Sequence, residues 1–458
     1  MYSITTYSQI TTSVMGMQFC ADMNNRLIGF VSVLVVISIV TAMVYLSFDD
    51  RHVYLTVRFN DDERNYAAAI EYNRKLLDEY NMKIDGKRYQ NASLEIRRTV
   101  TENTKLNTCN FTTTEDMDLM KKKRLPFIER FKNPCWYEGK TLLCLPYMYL
   151  VGAAKCGTTD LYKKISKHPH FVKPRTKENN WLCDRRFFGN SSLSFYASYF
   201  FRMIRERLDR ESGPSNLITG DATVFNLQGA RRWKYLGQNI GKDEPVENTA
   251  DYLYHLNSNT RILINVRNPV DRLWSEYLDL TRTREKSAQR FHEIVVRQVR
   301  LYNNCLKKRT LRSCMYDNDL SQLAMLSYEE VALKQERCTV MPTEIVMLRA
   351  GVYHVFIKDY LKTFPRDQVL IQRLEDIAAD TEGSTRRTYK FLGFEMLSDD
   401  RMKQIVTMHI INGRKPGNLD KGQMFESTRR LLYEFYKPHN EQLSVLLNDA
   451  KYNYGPRD

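Results

Sequence analysis

The stretch Leu145-Pro-Tyr-Met-Tyr-Leu-Val-Gly-Ala-Ala-Lys-Cys-Gly-Thr-Thr-Asp-Leu-Tyr-Lys-Lys-Ile-Ser-Lys167 predicts, in order, a strand, a tight loop and a helix. Its apolar run from Leu145 to Val151 is typical of a buried strand, and Gly152 ends it. The residues from Thr158 to Lys167 are compatible with a helix. In such a unit the free amides at the start of the helix favour an anionic ligand, so the loop is a candidate phosphate site.

Two more strand and helix combinations follow this unit along the chain. In the first, a buried-strand pattern is followed by a helix that has Pro269 near its first turn. In the second, a helix precedes a strand. Strands that alternate with helices predict an α/β fold with a P-loop-like parallel sheet flanked by helices. The expected elements are the strand Arg261–Val266, the helices Val270–Thr283 and Val352–Phe364, the strand Val369–Gln372, the helix Thr385–Leu392 and a terminal amphipathic helix Phe425–Leu447.

The region before this domain contains one strongly apolar segment, Leu27–Phe48, which carries no charge. Its length matches the roughly 20 residues that a helix needs to cross a bilayer. We predict a transmembrane signal-anchor helix there, because a cleaved signal peptide would have a shorter apolar run, a basic leader and a small-residue cleavage site. Residues 1–26 are then a cytoplasmic tail, 49–134 a lumenal stem and 135–458 the folded domain.

Glycosylation sequons indicate on which side of the membrane the folded domain lies. Asn91, Asn110 and Asn190 each begin an Asn-X-Ser/Thr sequence, and all three follow the apolar segment. Because such asparagines are modified in the secretory lumen, their position favours a lumenal C-terminal part. We therefore expect a single-pass type II membrane protein.

Of the nine cysteines, Cys20 lies before the apolar segment and the other eight follow it, in the expected oxidising lumen. Cys135 with Cys144 and Cys305 with Cys314 are each close enough in sequence to close a small loop, and we predict both disulfides. Cys156 is expected to be a free, buried thiol. The pairing of Cys109, Cys183 and Cys338 is left open.

The formal net charge of +15 favours a polyanionic partner. Solvated surface lysines and arginines are the alternative explanation for this excess. Because a lumenal domain does not meet nucleic acid, an acidic glycan and a phosphorylated cofactor are the expected anions. No metal site is predicted, since His168, His170 and His409 are not at metal-ligand spacing.

A nucleotide kinase is the first alternative for the loop after the strand. A Walker A loop has lysine directly after its last glycine and then a Ser or Thr that holds magnesium. Here Lys155 precedes Gly157, and no convincing carboxylate-terminated strand completes a magnesium site. The displaced lysine argues against an ATPase or a kinase.

The loop instead resembles the 5'-phosphosulfate-binding loop of the sulfotransferases, whose usual form is Lys-Ser-Gly-Thr-Thr. Cys156 stands where the family usually has serine. The resemblance implies the sulfotransferase fold and 3'-phosphoadenosine 5'-phosphosulfate (PAPS) as co-substrate. The residues that it places on this ligand are Lys155, Cys156, Gly157, Thr158, Thr159 and Asp160.

The second strand and helix unit strengthens this resemblance. Arg267-Asn-Pro-Val-Asp-Arg272-Leu-Trp-Ser275-Glu-Tyr277 is similar to the family's 3'-phosphate-binding element. The resemblance implies that Arg267 and Ser275 bind the phosphate that distinguishes PAPS from ATP, a task to which the fork of guanidinium donors is suited. It further implies that Arg414 and Lys415 lie in a basic loop over the cofactor, where they would contact phosphate or glycan. A solvated turn is the alternative for these two residues.

Sulfuryl transfer requires a base for the acceptor hydroxyl and cations for the leaving phosphate. The resemblance assigns the cationic role to Lys155 and the base to Glu178, which lies in Lys177-Glu-Asn-Asn-Trp181. The family's stretch is Lys-Glu-Pro-His-Trp-Trp, so two asparagines replace Pro and His here. An ordinary surface carboxylate beside Lys177 is the alternative for Glu178. Asp221 is expected either to orient Lys155 or the acceptor, or to cap a helix.

Further segments are similar to the Golgi sulfotransferases that act on the 6-hydroxyl of N-acetylgalactosamine 4-sulfate in chondroitin sulfate. The implied protein is a Golgi membrane enzyme with a glycosaminoglycan acceptor. A sulfotransferase for heparan sulfate or another glycan and a catalytically silent glycan-binding protein stay open, as does a homodimer. These segments are Asn133-Pro-Cys-Trp136, Cys144-Leu-Pro-Tyr147, Tyr302-Asn-Asn-Cys305, Leu311-Arg-Ser-Cys314 and Arg373-Leu-Glu-Asp376.

Overall fold

The structure is a computed structural model in which the chain divides into two compact units, Met1–Lys105 and Leu106–Asp458. In the first unit it describes only short strands. In the second it describes residues 117–188, 192–208, 213–282, 286–325, 345–408 and 422–456. Residues 66–80, where the sequence pattern of the stem is compatible with a helix, lie outside the described residues.

The first unit contains strands β1 (Met15–Asp22), β2 (Val36–Ile37), β3 (Val40–Thr41), β4 (Met43–Asp49) and β5 (His52–Phe59). Strand β5 pairs antiparallel with both β1 and β4, and β2 pairs with β3. Within the segment predicted as a transmembrane helix, the described residues are therefore in strands. The β-branched side chains of that segment favour an extended backbone where a neighbouring strand is available. No helix in the described part of the chain is long and apolar enough to cross a membrane.

The second unit is built on a four-stranded parallel sheet in the order β9, β8, β10, β11. An antiparallel hairpin, β6 and β7, precedes this sheet in the chain. The bounds are β6 Cys135–Glu138, β7 Thr141–Cys144, β8 Met148–Gly152, β9 Gly220–Asp221, β10 Arg261–Val266 and β11 Val369–Arg373. The prediction of a parallel sheet flanked by helices is confirmed.

The helices of this unit lie between and after the strands. They are α1 Thr158–Ile165, α2 Leu193–Leu208, α3 Thr249–Leu256, α4 Pro269–Leu280, α5 Ala288–Leu306, α6 Leu311–Tyr316, α7 Asn318–Met325, α8 Tyr353–Thr363, α9 Leu374–Ala379, α10 Thr381–Phe391, α11 Asp399–Val406 and α12 Glu426–Leu447. Short 3-10 helices span Leu119–Lys121, Arg185–Phe187, Val224–Gln228, Trp233–Tyr235, Gly237–Asn239, Leu348–Gly351, Arg366–Gln368 and Ala450–Tyr452.

Alternate residues of β8 enter separate hydrophobic clusters on the two faces of the sheet. Met148 and Leu150 pack in the cluster that includes side chains of α1, α10 and α11. Tyr149 and Val151 pack in the larger cluster with side chains of α3, α4, α8 and α12. Because both faces are covered, the strand is apolar along its whole length, which is the pattern that marked it in the sequence.

The folded unit includes residues that we assigned to the stem. Met117 and Leu119 are buried in the larger cluster, and the compact unit begins at Leu106. Leu119 lies in a 3-10 helix capped by Asp118, whose carboxylate accepts from the Met120 amide. The packed chain therefore starts before the hairpin that marked order in the sequence.

Both predicted disulfides are present, Cys135–Cys144 within the hairpin and Cys305–Cys314 between α5 and α6. Among the described residues Cys156 and Cys183 are free and buried, so the prediction for Cys156 is confirmed. Cys109 and Cys338 lie outside the described residues.

Candidate active site

A cleft of about 380 Å³ opens where β8 and β10 end. This is the edge of a parallel sheet at which ligands bind, because loops and helix starts converge there. The predicted site residues that line the cleft come from three separate parts of the sequence. These residues are Lys155, Gly157, Thr158, Thr159, Asp160, Glu178, Arg267 and Ser275.

The loop after β8 has a backbone shape that only some residues allow. Lys155 and Gly157 both have left-handed conformations, with φ of 67° and 73°. A Cβ atom at Gly157 would lie 2.6 Å from Cδ1 of Leu374, so a larger residue would displace the loop or α9. Asn265 of β10 secures the loop, because its carbonyl accepts from the Ala153 amide at 2.6 Å and its side chain donates to the Cys156 carbonyl at 3.3 Å. The first residues of α1, Thr158 and Thr159, therefore line the cleft at the end of a fixed loop.

The thiol of Cys156 lies beneath this loop and does not line the cleft. Its Sγ is 3.7 Å from the Tyr353 hydroxyl and 3.6 Å from the Ala154 carbonyl. Burial raises the pKa of the thiol to about 11, so the group is neutral at physiological pH. Cysteine in place of the family's serine therefore removes no side chain from the cleft wall.

Arg267 reaches the cleft from the turn between β10 and α4, and Ser275 reaches it from the middle of α4. The helix begins at Pro269, and the Asn268 side chain caps it by accepting from the Val270 amide. The Tyr353 hydroxyl donates to the Arg267 carbonyl at 2.9 Å and fixes that end of β10. In the described part of the chain the Arg267 guanidinium has no salt-bridge partner, which leaves its donors to a ligand.

The Lys155 ammonium forms a salt bridge with Asp279, with 2.7 Å between Nζ and Oδ2. Both side chains line the cleft and are largely buried, with 15% and 27% of their surfaces exposed. Asp279 lies one turn after Ser275 on the same face of α4. Asp279 was not among the residues predicted from the sequence, although its spacing from Ser275 is the signal that indicates it.

Glu178 lines the cleft, and its Oε1 lies 2.5 Å from Nζ of Lys177. A third of its side chain, 33%, is exposed, so the carboxylate is accessible to a substrate. The segment is held by the neighbouring turn, since Ala222 N–H donates to the Lys177 carbonyl at 3.1 Å. Glu178 therefore lies at the cleft. It also forms the ion pair with Lys177 that was expected for an ordinary surface carboxylate.

The two asparagines after Glu178 have structural roles in this segment. The buried side chain of Asn179 accepts from the Trp181 amide at 2.9 Å. Asn180 has a left-handed backbone with φ of 55°, and its amide donates to Oγ1 of Thr223 at 3.2 Å. Asparagine tolerates that conformation better than most residues do. Both substitutions are therefore compatible with the local backbone.

Asp221 is buried and does not line the cleft, so of its expected roles the orientation of Lys155 is wrong. Its carboxylate accepts from the Tyr196 hydroxyl at 2.9 Å and from the Thr223 hydroxyl at 2.6 Å. Burial raises the pKa of Asp221, while these hydrogen bonds oppose the shift. Asp279, on a different element, holds Lys155 instead.

The other predicted site residues are Asp160, Arg414 and Lys415. Asp160 lines the cleft and pairs with Lys164 one turn later on α1. Arg414 and Lys415 lie outside the described residues. Among the residues that the structure describes, no group of three or more His, Cys, Asp or Glu side chains is arranged to hold a metal ion.

Part of the cleft lining is apolar, which was not predicted from the sequence. Aliphatic side chains come from α9, from the end of α4 and from the end of α11, and an aromatic ring lies after β9. Such a surface suits the flat face of a base or a sugar. The side chains are Phe225, Leu280, Leu374, Ile377, Ala378 and Val406.

The fold is that of a sulfotransferase, and residues 145–423 match the sulfotransferase domain family. The chain belongs to that family. Human carbohydrate sulfotransferase 15 is 30% identical over 68% of this chain and 55% of its own length. Mouse heparan sulfate glucosamine 3-O-sulfotransferase 3B1 is 22% identical over 67% of this chain and 64% of its own length.

Similarity to carbohydrate sulfotransferase 15 confirms the resemblance that the motifs indicated. The chain spans about half the length of those relatives, 55% of the human and 56% of the mouse protein. Among solved structures, a sulfotransferase from Alicyclobacillus acidocaldarius is 22% identical, covers 68% of this chain and 99% of its own, and has a TM-score of 0.40.

Proposed function

We propose that this protein transfers a sulfuryl group from PAPS to a hydroxyl of a glycosaminoglycan. The observation that carries the proposal is that the loop after β8 and the pair Arg267 and Ser275 after β10 open into one cleft. The name of the human relative supports a carbohydrate acceptor. The leading acceptor is the 6-hydroxyl of N-acetylgalactosamine 4-sulfate in chondroitin or dermatan sulfate.

The residues of the cleft fit the proposed donor. Its volume of about 380 Å³ falls in the range of roughly 300–1,000 Å³ that is common for small-molecule sites. The α1 amides and Lys155 would hold the phosphosulfate end, whereas Arg267 and Ser275 would hold the 3'-phosphate. The apolar wall that includes Leu374 would receive the base.

Two side chains of the cleft supply what sulfuryl transfer requires. Glu178 would accept the proton of the acceptor hydroxyl as that oxygen forms a bond to sulfur. Lys155 would stabilise the negative charge on the phosphate oxygen as its bond to sulfur breaks, which releases 3'-phosphoadenosine 5'-phosphate (PAP). The sulfuryl group would thus move to the acceptor oxygen, the proton to Glu178, and PAP would leave.

A basic segment that leads into Glu178 supports an acidic acceptor. Lys173 and Arg175 are exposed on either side of the buried Pro174, and Lys177 follows two residues later. The Val172 amide donates to the Ile218 carbonyl at 2.7 Å, which holds the start of the segment. The three cations form a basic track that precedes the proposed base and would attract a polyanionic acceptor.

Heparan sulfate is the second candidate acceptor, because the mouse relative at 22% identity is named as a sulfotransferase for its glucosamine. The basic track suits either sulfated glycan, since charge attraction is not specific for a sugar. The two acceptors differ in the sugar that would lie beside Glu178.

The experiment is sulfate transfer by the purified full-length chain with labelled PAPS and separate glycans. We expect label in chondroitin or dermatan sulfate, and disaccharide analysis should locate it on the 6-hydroxyl of N-acetylgalactosamine. Label in heparan sulfate alone would support the second acceptor. Failure to bind PAP, or phosphate transfer from magnesium ATP, would contradict the proposal.

We further propose a single-pass type II protein of the Golgi membrane, with the C-terminal part in the lumen. The apolar segment 27–48 and the sequons at Asn91, Asn110 and Asn190 support this placement. In cells the chain should resist alkaline carbonate extraction and shift in mass on glycosidase treatment. Release by carbonate together with an unchanged mass would contradict the placement.

A further inference from the structure

We propose that Asp279 is a positioning residue that holds the Lys155 ammonium in line for the leaving phosphate. This inference rests on the proposed function, because it gives Lys155 the cationic role in sulfuryl transfer. The observation behind it is the salt bridge of 2.7 Å between two side chains that both line the cleft.

A lysine needs such a partner more than an arginine does. Its ammonium is a point charge at the end of a flexible four-carbon stem, so the side chain does not fix its own direction. The ammonium carries three donors, and one bond to Asp279 leaves two for the ligand. Asp279 can therefore orient Lys155 without removing it from the reaction.

The helix that carries Asp279 is itself firmly held. Arg272 and Glu276 form a fully buried salt bridge of 2.8 Å within α4. Arg272 donates to the Met347 carbonyl at 2.7 Å, and Glu276 accepts from the Met347 amide at 2.7 Å. Because Ser275 and Asp279 share this helix, the element that would bind the 3'-phosphate also fixes the direction of Lys155.

A carboxylate at this position opposes the binding of an anionic donor. Asp279 adds negative charge to a cleft that is proposed to take two phosphates and a sulfuryl group. Its contribution should therefore appear in the chemical step and not in donor affinity. Loss of the carboxylate should lower kcat while PAP binds as tightly as before, or more tightly.

Asp271 provides a matched control on the same helix. Its Oδ1 pairs with Nη2 of Arg429 at 3.0 Å, and 30% of its side chain is exposed against 27% for Asp279. Asp271 does not line the cleft. Replacing it removes the same charge and a salt bridge of the same kind outside the site.

The experiment compares the full-length wild type with Asp279→Ala, Asp279→Asn and Asp271→Ala. For each we would measure kcat with a saturating chondroitin acceptor, the KM for PAPS and the Kd for PAP. We expect Asp279→Ala to lower kcat by about tenfold to a hundredfold, the scale of a misplaced catalytic group. The Kd for PAP should not rise. Asp279→Asn should recover part of kcat, because its amide oxygen still accepts from the ammonium, and Asp271→Ala should match the wild type.

The possible failures are distinct. If the wild type binds PAP and transfers sulfate while Asp279→Ala equals Asp271→Ala, only the inference is overturned. If Asp279→Ala loses PAP binding in step with kcat, the residue is structural and the inference is again overturned. A wild type that does not bind PAP contradicts the proposed function as well.

Discussion

Lys155 combines an unusual backbone with the charge on which the proposed chemistry depends. Its φ of 67° lies in the left-handed region, which most non-glycine residues avoid. The conformation is maintained by the bonds of Asn265 to Ala153, two residues before Lys155, and to Cys156, the residue after it. Strain that the surrounding structure enforces is a common feature of functional loops.

Lys155→Ala should lower kcat by about a hundredfold or more, because it removes the cation from the leaving phosphate. PAP binding should weaken less, since the α1 amides and Arg267 remain. The measurement is sulfate transfer at saturating PAPS beside the PAP dissociation constant. Lys167→Ala, which removes an exposed lysine after α1, is the control. Activity of Lys155→Ala within about twofold of the wild type would exclude the assigned role.

Some site residues could be predicted from the sequence, whereas others could not. Lys155 and Arg267 each follow a recognisable strand and precede a helix, so their shared edge of the sheet was predictable. The sequence could not show whether Asp221 or Asp279 pairs with Lys155. The choice between them depends on the direction of α4 relative to the loop after β8, and only the packed structure supplies that direction.

At the scale of elements, buried parallel strands were the easiest to predict. Strand β10 spans the predicted residues Arg261–Val266, because its apolar run is continuous and both faces are covered. Strand β8 begins at Met148 and not at Leu145. Pro146 has no amide hydrogen for a ladder, and the Tyr147 amide donates instead to the Thr219 carbonyl.

The two-residue strand β9 had no signal in the sequence. Gly220 and Asp221 are too few to show an alternating pattern, yet they extend the sheet beside β8. Their place matters for function, because the turn after β9 binds the segment that carries Glu178. Contacts between distant parts of the chain therefore define this side of the cleft.

The basic track makes a prediction at the scale of an element. The double change Lys173→Ala/Arg175→Ala should raise the KM for a polyanionic acceptor by about tenfold and leave kcat at saturating acceptor unchanged. The dependence of KM on salt should weaken as well. Steady-state kinetics over a range of ionic strength would measure both effects.

The control for the track removes the same charge elsewhere. Lys307→Ala/Lys308→Ala replaces two exposed lysines after α5. We expect its acceptor KM to match the wild type. Equal effects of the two double variants would mean that overall charge, and not the track, attracts the glycan.

At the scale of the molecule, a histidine pair joins α8 to the terminal helix α12. Nε2 of His354 lies 3.2 Å from Nδ1 of His439. Burial lowers the pKa of both imidazoles to about 4, assisted by Lys358 for His354 and by the neighbouring ring for His439. The pair is therefore neutral in the folded protein at physiological pH.

Acid should destabilise the protein through this pair. In the unfolded chain each imidazole binds a proton near pH 6.5, whereas the folded chain resists protonation until about pH 4. The unfolded state thus binds more protons across this interval, and the free energy of unfolding should fall as pH drops from 6.5 to 4. Denaturant unfolding at several pH values would measure the slope.

The variant His354→Gln/His439→Gln should flatten that slope, because glutamine does not titrate. A near-ultraviolet circular dichroism spectrum at pH 8 would check that the variant keeps the native packing. An unchanged slope in a correctly folded variant would contradict the assignment of the acid sensitivity to this pair.

The central claim is that two strand ends bind two phosphates of one nucleotide. The most direct measurement is the Kd of PAP and of adenosine 5'-phosphate for the wild type and for Arg267→Ala. If Arg267 binds the 3'-phosphate, the wild type should prefer PAP, and the variant should lose about 1.5–3 kcal/mol of PAP binding, the scale of a charged hydrogen bond, with little change for adenosine 5'-phosphate. Equal weakening of both nucleotides, or an undiminished preference for PAP, would contradict the claim.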